Sequence, residues 1–159
     1  MRTRPLETNY AGAIYGTILS MAVISTASKD PTLGPMEIAG WAAATALVFW
    51  IAHVYATFVA AGFARPSEST QLLKQAMTRE WPLVQGSLIP AAAMLLTPLG
   101  LVSTENATYV AVWVGVVLLF GDGLAMGTRE DLRWGRRLTI SAINALIGSL
   151  IVALKIFVH

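Results

Sequence analysis

Residues 38–64 read IAGWAAATALVFWIAHVYATFVAAGFA, an apolar run in which His53 is the one acidic or basic side chain. A helix needs about 20 apolar residues to cross the hydrocarbon core of a bilayer, so this run is long enough to cross at a tilt. The whole chain has the same character, with 55% hydrophobic and 13% charged residues. A soluble domain carries about 25% charged residues. The run therefore predicts a transmembrane helix.

Four more apolar stretches lie before and after this run in the sequence, each bounded by charged or turn-forming residues: 10–27, 82–102, 107–127 and 138–158. Together they predict an all-α transmembrane bundle of five spans, formed as a single domain over residues 1–159. Segment 67–80 is polar and amphipathic, and predicts a short interfacial helix on the cytoplasmic side. Pro90 and Pro98 predict kinks in the third span, because proline removes a helical hydrogen bond.

Basic residues alternate along the chain, which predicts the orientation of the spans. Cytoplasmic segments of membrane proteins collect lysine and arginine. Nine of the eleven basic residues fall in three alternate segments: Arg2, Arg4, Arg65, Lys74, Arg79, Arg129, Arg133, Arg136 and Arg137. This pattern places the N-terminus in the cytoplasm and the C-terminus outside, in a plasma membrane.

The first span permits an alternative, because Ser25-Thr26-Ala27 is typical of a signal-peptidase site. Cleavage there would leave four spans. Glu7 argues against a signal peptide, since it lies where such a peptide is basic. Small residues recur in this span at intervals of four, which suits helix packing.

Small residues also mark the faces where the helices are expected to pack, since close approach drives association in lipid. The fifth span carries such a stripe, and these seams lie either within one chain or between copies in a homo-oligomer. The candidates are Gly12, Gly16 and Ser20 in the first span, Gly123 and Gly127 in the fourth, and Ser141, Ala145, Ser149 and Ala153 in the fifth.

Four polar side chains inside the spans are the candidate functional site: His53, Gln85, Asp122 and Asn144. Burying such groups in a membrane is costly, so they mark function or helix-to-helix hydrogen bonds. His53 suits a proton relay or a substrate contact, or else a structural hydrogen bond to a neighbouring helix, for example with Thr57 one turn along. Asp122 suits a proton or cation, or an ion pair with Arg129, Arg133 or Arg136. The four form one polar pocket or several separate contacts.

Several classes of function are disfavoured by composition. The chain has no cysteine, which excludes disulfides, iron–sulfur clusters and thiol catalysis. It has two histidines and no catalytic, phosphate-binding or dinucleotide motif, so we predict no catalytic residue, metal site or cofactor. No basic stripe or zinc spacing points to nucleic acid. The expected partner is the lipid bilayer.

Four strings of this sequence resemble a family of small, uncharacterised multi-pass membrane proteins of actinobacteria: GAIYG at 12–16, ALVFWIAHVYA at 46–56, REWP at 79–82 and LIVALK at 150–155. The resemblance covers most of the chain, and Trp50-x-x-His53-Val54-Tyr55 is its most specific part. It implies a bacterial plasma membrane and implies no activity or site residue.

Two functions remain open on this basis. The first is a small proton- or cation-linked transporter or channel subunit, which uses His53 and Asp122. The second is a membrane-embedded accessory protein that docks a partner through its cytoplasmic loops. A membrane enzyme is the least supported, because no reaction class is indicated.

Overall fold

The computed structural model describes the backbone of residues 9–61 and 66–157, and the side chains of 9–61 and 69–153. Its five helices are α1 (Tyr10–Ala27), α2 (Pro35–Ala60), α3 (Pro66–Met94), α4 (Thr104–Arg129) and α5 (Trp134–Phe157). The predicted all-α bundle is confirmed. Four helices, α1, α2, α4 and α5, are long and apolar enough to cross a membrane.

Local side-chain chemistry sets where the first two helices begin. Asn9 caps α1, because its Oδ1 accepts a hydrogen bond from the Gly12 amide at 2.9 Å. Pro35 opens α2, where its missing N–H is not needed. The Glu37 carboxylate accepts a hydrogen bond from the Gly34 amide at 2.7 Å, which fixes the entry to α2.

Helix α3 differs most from its prediction. The third span was expected at 82–102, preceded by a separate interfacial helix at 67–80, but one continuous helix covers Pro66–Met94. It ends early because residues 95–102 form turns, in which Gly100 adopts a φ of 73° that favours glycine. Pro98 therefore lies outside the helix, and the kink predicted there was wrong. Its polar first half excludes α3 from the helices that qualify as spans.

The other four helices follow their predicted spans closely. Helix α1 has the predicted bounds, and α4 and α5 start three or four residues earlier than the predicted 107 and 138. Helix α2 begins at Pro35 rather than at residue 38. The predicted ends at 64 and 158 lie outside the described residues, as do Arg2, Arg4 and Arg65.

Helix α1 lies at the centre of the bundle. Within the described backbone it contacts all four other helices, whereas α5 contacts α1 and α4 alone. The apolar core lies between α1, α3, α4 and the first turns of α2. Its largest fully buried hydrophobic side chains are Met21, Ile24, Leu83, Met94, Val112 and Leu119. Because α1 fills the middle, its removal would expose this core to lipid or water.

Helices α1 and α3 approach each other through reciprocal glycines. A Cβ on Gly16 would lie 2.0 Å from the Leu83 carbonyl oxygen, and one on Gly86 would lie 2.2 Å from that of Ala13. Ser87 donates a hydrogen bond to the Gly16 carbonyl at 2.8 Å. Such close backbone contact requires glycine at both positions.

Candidate functional site

Glu80 of α3 is the centre of the most polar arrangement inside the bundle. Among the described side chains it is the one acidic or basic residue that is buried, with 6% of its surface exposed. Its Oε2 accepts a hydrogen bond from Asn9 Nδ2 at 3.2 Å, and its Oε1 accepts one from Thr57 Oγ1 at 3.0 Å. One carboxyl group thus joins α1, α2 and α3.

The charge nearest to Glu80 comes from its chain neighbour. Arg79 Nε lies 3.8 Å from Glu80 Oε1, while the Arg79 side chain is 66% exposed. A long contact by an exposed guanidinium is strongly screened by water. Within the described part of the chain, both close donors to the carboxyl group are therefore uncharged groups.

Each partner of Glu80 is held by the helix that carries it. Asn9 is the N-cap of α1, so its Oδ1 is fixed by the Gly12 amide and its Nδ2 is free to reach Glu80. Thr57 lies one turn before the end of α2 at Ala60. Glu80 shares the buried face of α3 with Ala76, Leu83 and Ser87. The site thus lies where α1 begins and α2 ends.

A cavity of about 560 Å³ lies beside this carboxyl group, between the end of α2 and the polar half of α3. Thr57 lines the cavity and also donates to Glu80, so it connects the two. The remaining lining mixes polar and small apolar side chains: Ala60, Ala61, Leu72, Gln75, Ala76 and Arg79.

Two tryptophans pack at the same level of the bundle. The Trp50 indole donates a hydrogen bond to the Met77 carbonyl at 3.3 Å. Its ring meets that of Trp81 edge to face, with 5.7 Å between centroids. Paired indoles with a polar contact are typical of the boundary between hydrocarbon and water.

His53 lies one turn before Thr57 on α2 and is half-buried. The expected hydrogen bond with Thr57 is absent from the described contacts: Thr57 binds Glu80, and His53 Nδ1 lies 2.8 Å from the Phe49 carbonyl. The imidazole also packs against the ring of Tyr15 from α1, at 5.5 Å between centroids. His53 thus lies near the Glu80 site without touching its carboxyl group.

The other three candidate residues lie apart from Glu80. Asp122 is half-buried on α4 and makes no ion pair with any described residue, Arg129 included. Gln85 is exposed on α3. Asn144 is half-buried on α5, and its Nδ2 is sealed from solvent with no hydrogen-bond partner in the described structure.

The four candidates are carried by helices that do not all meet. Within the described backbone, α5 does not contact α2 or α3, so Asn144 is remote from His53 and Gln85. Helices α4 and α5 do pack together, which places Asp122 and Asn144 on neighbouring elements. A single pocket formed by all four side chains is therefore not observed in the described structure.

The predicted packing residues divide between α1 and α5. Gly12, Gly16 and Ser20 are all buried, and a Cβ on Gly12 would lie closest to its own helix cap at Asn9. Ser141 is fully buried, and a Cβ on Gly123 of α4 would lie 2.6 Å from its Cα. Ala145, Ser149 and Ala153 are half-buried on α5.

Sequence reasoning missed Glu80 because it lies directly before the third apolar run, where a charged residue usually marks a span boundary. A signal was nevertheless present. With a helix continuous through Glu80, Ala76, Leu83 and Ser87 fall on the same face at helical spacing. One acidic residue within a stripe of small and apolar side chains indicates a buried carboxyl group.

Neither a protein-family model, nor a curated protein, nor a solved structure matches this chain. The resemblance to the actinobacterial membrane family therefore stays a prediction. The described residues also hold no group of three histidine, aspartate or glutamate side chains able to bind a metal ion. The Glu80 site and its surroundings are therefore the basis of the function proposed below.

Proposed function

We propose that this chain is a small multi-pass membrane protein linked to proton or cation transport, with Glu80 as the coupling carboxyl group. One observation carries the proposal: Glu80 is buried where three helices meet, and its close hydrogen-bond donors among the described residues, Asn9 and Thr57, are uncharged. A buried carboxylate without a close cation is costly. A carboxyl group can exchange a proton or bind a cation, and intramembrane carboxyl groups are typical of proton and ion pathways.

Access to the site is supported by the adjoining cavity. Thr57 lies between the cavity and Glu80, and its hydroxyl can both donate and accept a hydrogen bond. A proton or a hydrated cation arriving through the cavity would therefore meet a polar group before the carboxyl group. His53, one turn farther along α2, extends the polar side chains toward the middle of that helix.

Five helices of this length leave little room for a pathway within one copy. The described core is filled by apolar side chains from α1, α2, α3 and α4. We therefore propose a homo-oligomer, in which a pathway runs between copies.

Flux into liposomes tests the proposal. The full chain, reconstituted with a pH-sensitive dye inside and a membrane potential applied, is expected to admit protons or an added monovalent cation. Glu80→Gln is expected to lower this flux by about tenfold or more, because an amide neither binds nor releases a proton near neutral pH. Glu105→Gln, at an exposed position in the first turn of α4, is the matched control and should leave flux unchanged.

The contrary result is equally clear. Equal flux in wild type and Glu80→Gln, with both proteins folded by circular dichroism, would remove Glu80 from the mechanism. Liposomes that admit neither protons nor cations would contradict the transport proposal itself.

A second candidate function is that of a membrane-embedded accessory protein. It is favoured by the exposed basic turn between α4 and α5, where Arg129, Arg133, Trp134 and Arg136 all reach solvent. Its test is co-purification of a defined partner. The partner should be lost with Arg133→Glu and retained with Lys29→Glu, because Lys29 is exposed in the turn that follows α1, away from the α4–α5 turn.

We further propose a bacterial plasma membrane as the location, with the N-terminus cytoplasmic and the C-terminus outside. The Arg129 guanidinium lies 5.7 Å from the centre of the Tyr10 ring, so the start of α1 and the end of α4 share one end of the bundle. Arg79 and the α4–α5 turn belong to that same end, which supports a cytoplasmic face enriched in arginine.

A further inference from the structure

Three aromatic rings cluster at the seam between α1 and α2: Tyr15, Phe49 and His53. The ring centroids lie 6.0 Å apart for Tyr15 and Phe49, 5.5 Å for Tyr15 and His53, and 6.5 Å for Phe49 and His53. None of the three is buried, and Tyr15 is 41% exposed. The cluster therefore forms part of the outer surface of two helices that are apolar enough to cross a membrane.

The hydrogen bond to Phe49 fixes the tautomer of the neutral imidazole. A backbone carbonyl only accepts, so His53 Nδ1, 2.8 Å away, must carry the hydrogen. In the neutral ring, Nε2 is then left as a hydrogen-bond acceptor. Among the described residues, no donor reaches it.

The Tyr15 hydroxyl likewise has no hydrogen-bond partner among the described residues. A threonine or serine hydroxyl can bond to its own helix backbone, as Thr17 does to the Ala13 carbonyl. The longer tyrosine side chain carries its hydroxyl away from that backbone, and no described residue bonds to it. A polar group left unpaired in hydrocarbon costs several kcal/mol, so an outside partner is strongly favoured.

We propose that Tyr15, Phe49 and His53 bind a membrane-soluble phenol or hydroquinone. One phenolic hydroxyl satisfies both unpaired groups, because it donates to His53 Nε2 and accepts from the Tyr15 hydroxyl. Its ring stacks in the offset or edge-to-face geometry that aromatic side chains favour, against Phe49 and Tyr15. The surrounding surface of α2 is apolar, with Val48 exposed by 63%, which suits an apolar tail.

Depth in the bundle agrees with a ligand of this kind. His53 lies one helical turn, about 6 Å, from Thr57 and thus from the level at which Thr57 contacts Glu80. A polar ring would sit just inside the interface while its tail extends toward the middle of the bilayer. The inference rests on the proposed membrane location and does not use Glu80, so a failure of flux and a failure of binding are distinguishable.

Nitrogen NMR of the imidazole tests this inference directly. The full chain with ¹⁵N-labelled histidine is placed in lipid nanodiscs, with His159→Gln so that His53 gives the one imidazole signal. Decylhydroquinone, kept reduced by dithionite, is titrated against it; the chain has no cysteine for the reductant to alter. A saturable shift of Nε2 toward the hydrogen-bonded range, with Nδ1 remaining protonated, is expected.

Matched variants and a matched ligand separate binding from partition into lipid. Tyr15→Phe keeps the ring, loses the hydroxyl and is expected to weaken binding roughly 3- to 10-fold, as for one hydrogen bond. Tyr55→Phe, at a tyrosine of α2 that is 69% exposed and outside the cluster, should leave binding unchanged. The dimethyl ether of decylhydroquinone, which cannot donate, should give no saturable shift.

Three outcomes would overturn the inference. The first is a shift that rises linearly with ligand, as partition requires. The second is equal binding by wild type and Tyr15→Phe. The third is an Nε2 signal that already shows a hydrogen bond before ligand is added. The ether comparison uses a single protein, so the test stands even if a variant fails to fold.

Discussion

Two glycines in α4, Gly121 and Gly123, differ in what a methyl group would meet. A Cβ on Gly123 would lie 2.6 Å from the Ser141 backbone, whereas no atom of the described residues lies within 4 Å of one on Gly121. The two positions share a helix and a depth, so they isolate the effect of helix contact from that of intrinsic helix propensity.

Alanine at these two positions is expected to change stability in opposite directions. Gly123→Ala should lower the free energy of unfolding by about 1–3 kcal/mol, because the α4–α5 seam must open to admit the methyl group. Gly121→Ala should raise it by up to about 1 kcal/mol through helix propensity. Unfolding by sodium dodecyl sulfate in mixed micelles measures both. Equal destabilisation by the two changes would contradict the close α4–α5 contact.

At the scale of elements, the turn from α1 to α2 depends on one carboxylate. Asp30 Oδ1 accepts hydrogen bonds from the Thr32 hydroxyl at 2.6 Å and the Thr32 amide at 2.9 Å. These bonds, the hydroxyl first, hold the pKa of Asp30 below its usual 3.8. The ionised form therefore stabilises the turn at neutral pH.

The sign of the pH dependence follows from this lowered pKa. The contribution is fully present above pH 3.8, the pKa of the unfolded chain, and is lost as the pH falls through the lower folded value. Amide exchange at Thr32, corrected for its intrinsic pH dependence, is expected to lose protection in that acidic window. Asp30→Asn should abolish the step. A step that persists in the variant would assign it to another group.

At the scale of the whole molecule, the number of membrane crossings depends on whether α3 crosses the bilayer. The polar first half of α3 excludes this helix from those that qualify as spans. Glu80 of α3 nevertheless lies beside Asn9 at the start of α1. Met94, at the end of α3, lies in the core cluster with Ile38 near the start of α2. Helix α3 thus runs between opposite ends of the bundle. We expect five crossings, in which Pro82–Met94 and the apolar turns after it occupy the hydrocarbon.

Cysteine labelling decides between four and five crossings, and the chain has no cysteine of its own. Lys74→Cys and Glu105→Cys flank the apolar part of α3 and are exposed. A membrane-impermeant maleimide added to intact cells is expected to label position 105 and spare position 74. Arg133→Cys is the control for the cytoplasmic face and should also be spared. Labelling of 74 and 105 from the same side would show that α3 does not cross.

The sequence alone determined that the chain is all-helical and apolar, where four helices lie, and which charged or turn-forming segments bound them. These features are local, because they depend on the length of each apolar run and on the turn-forming residues next to it in the sequence. Only the tertiary structure decided that Glu80 is buried, that Gly123 touches Ser141 while Gly121 touches nothing, and that Tyr15 meets His53. Those outcomes depend on how each helix is rotated about its own axis and on which neighbour it faces, and contacts between residues distant in sequence set both.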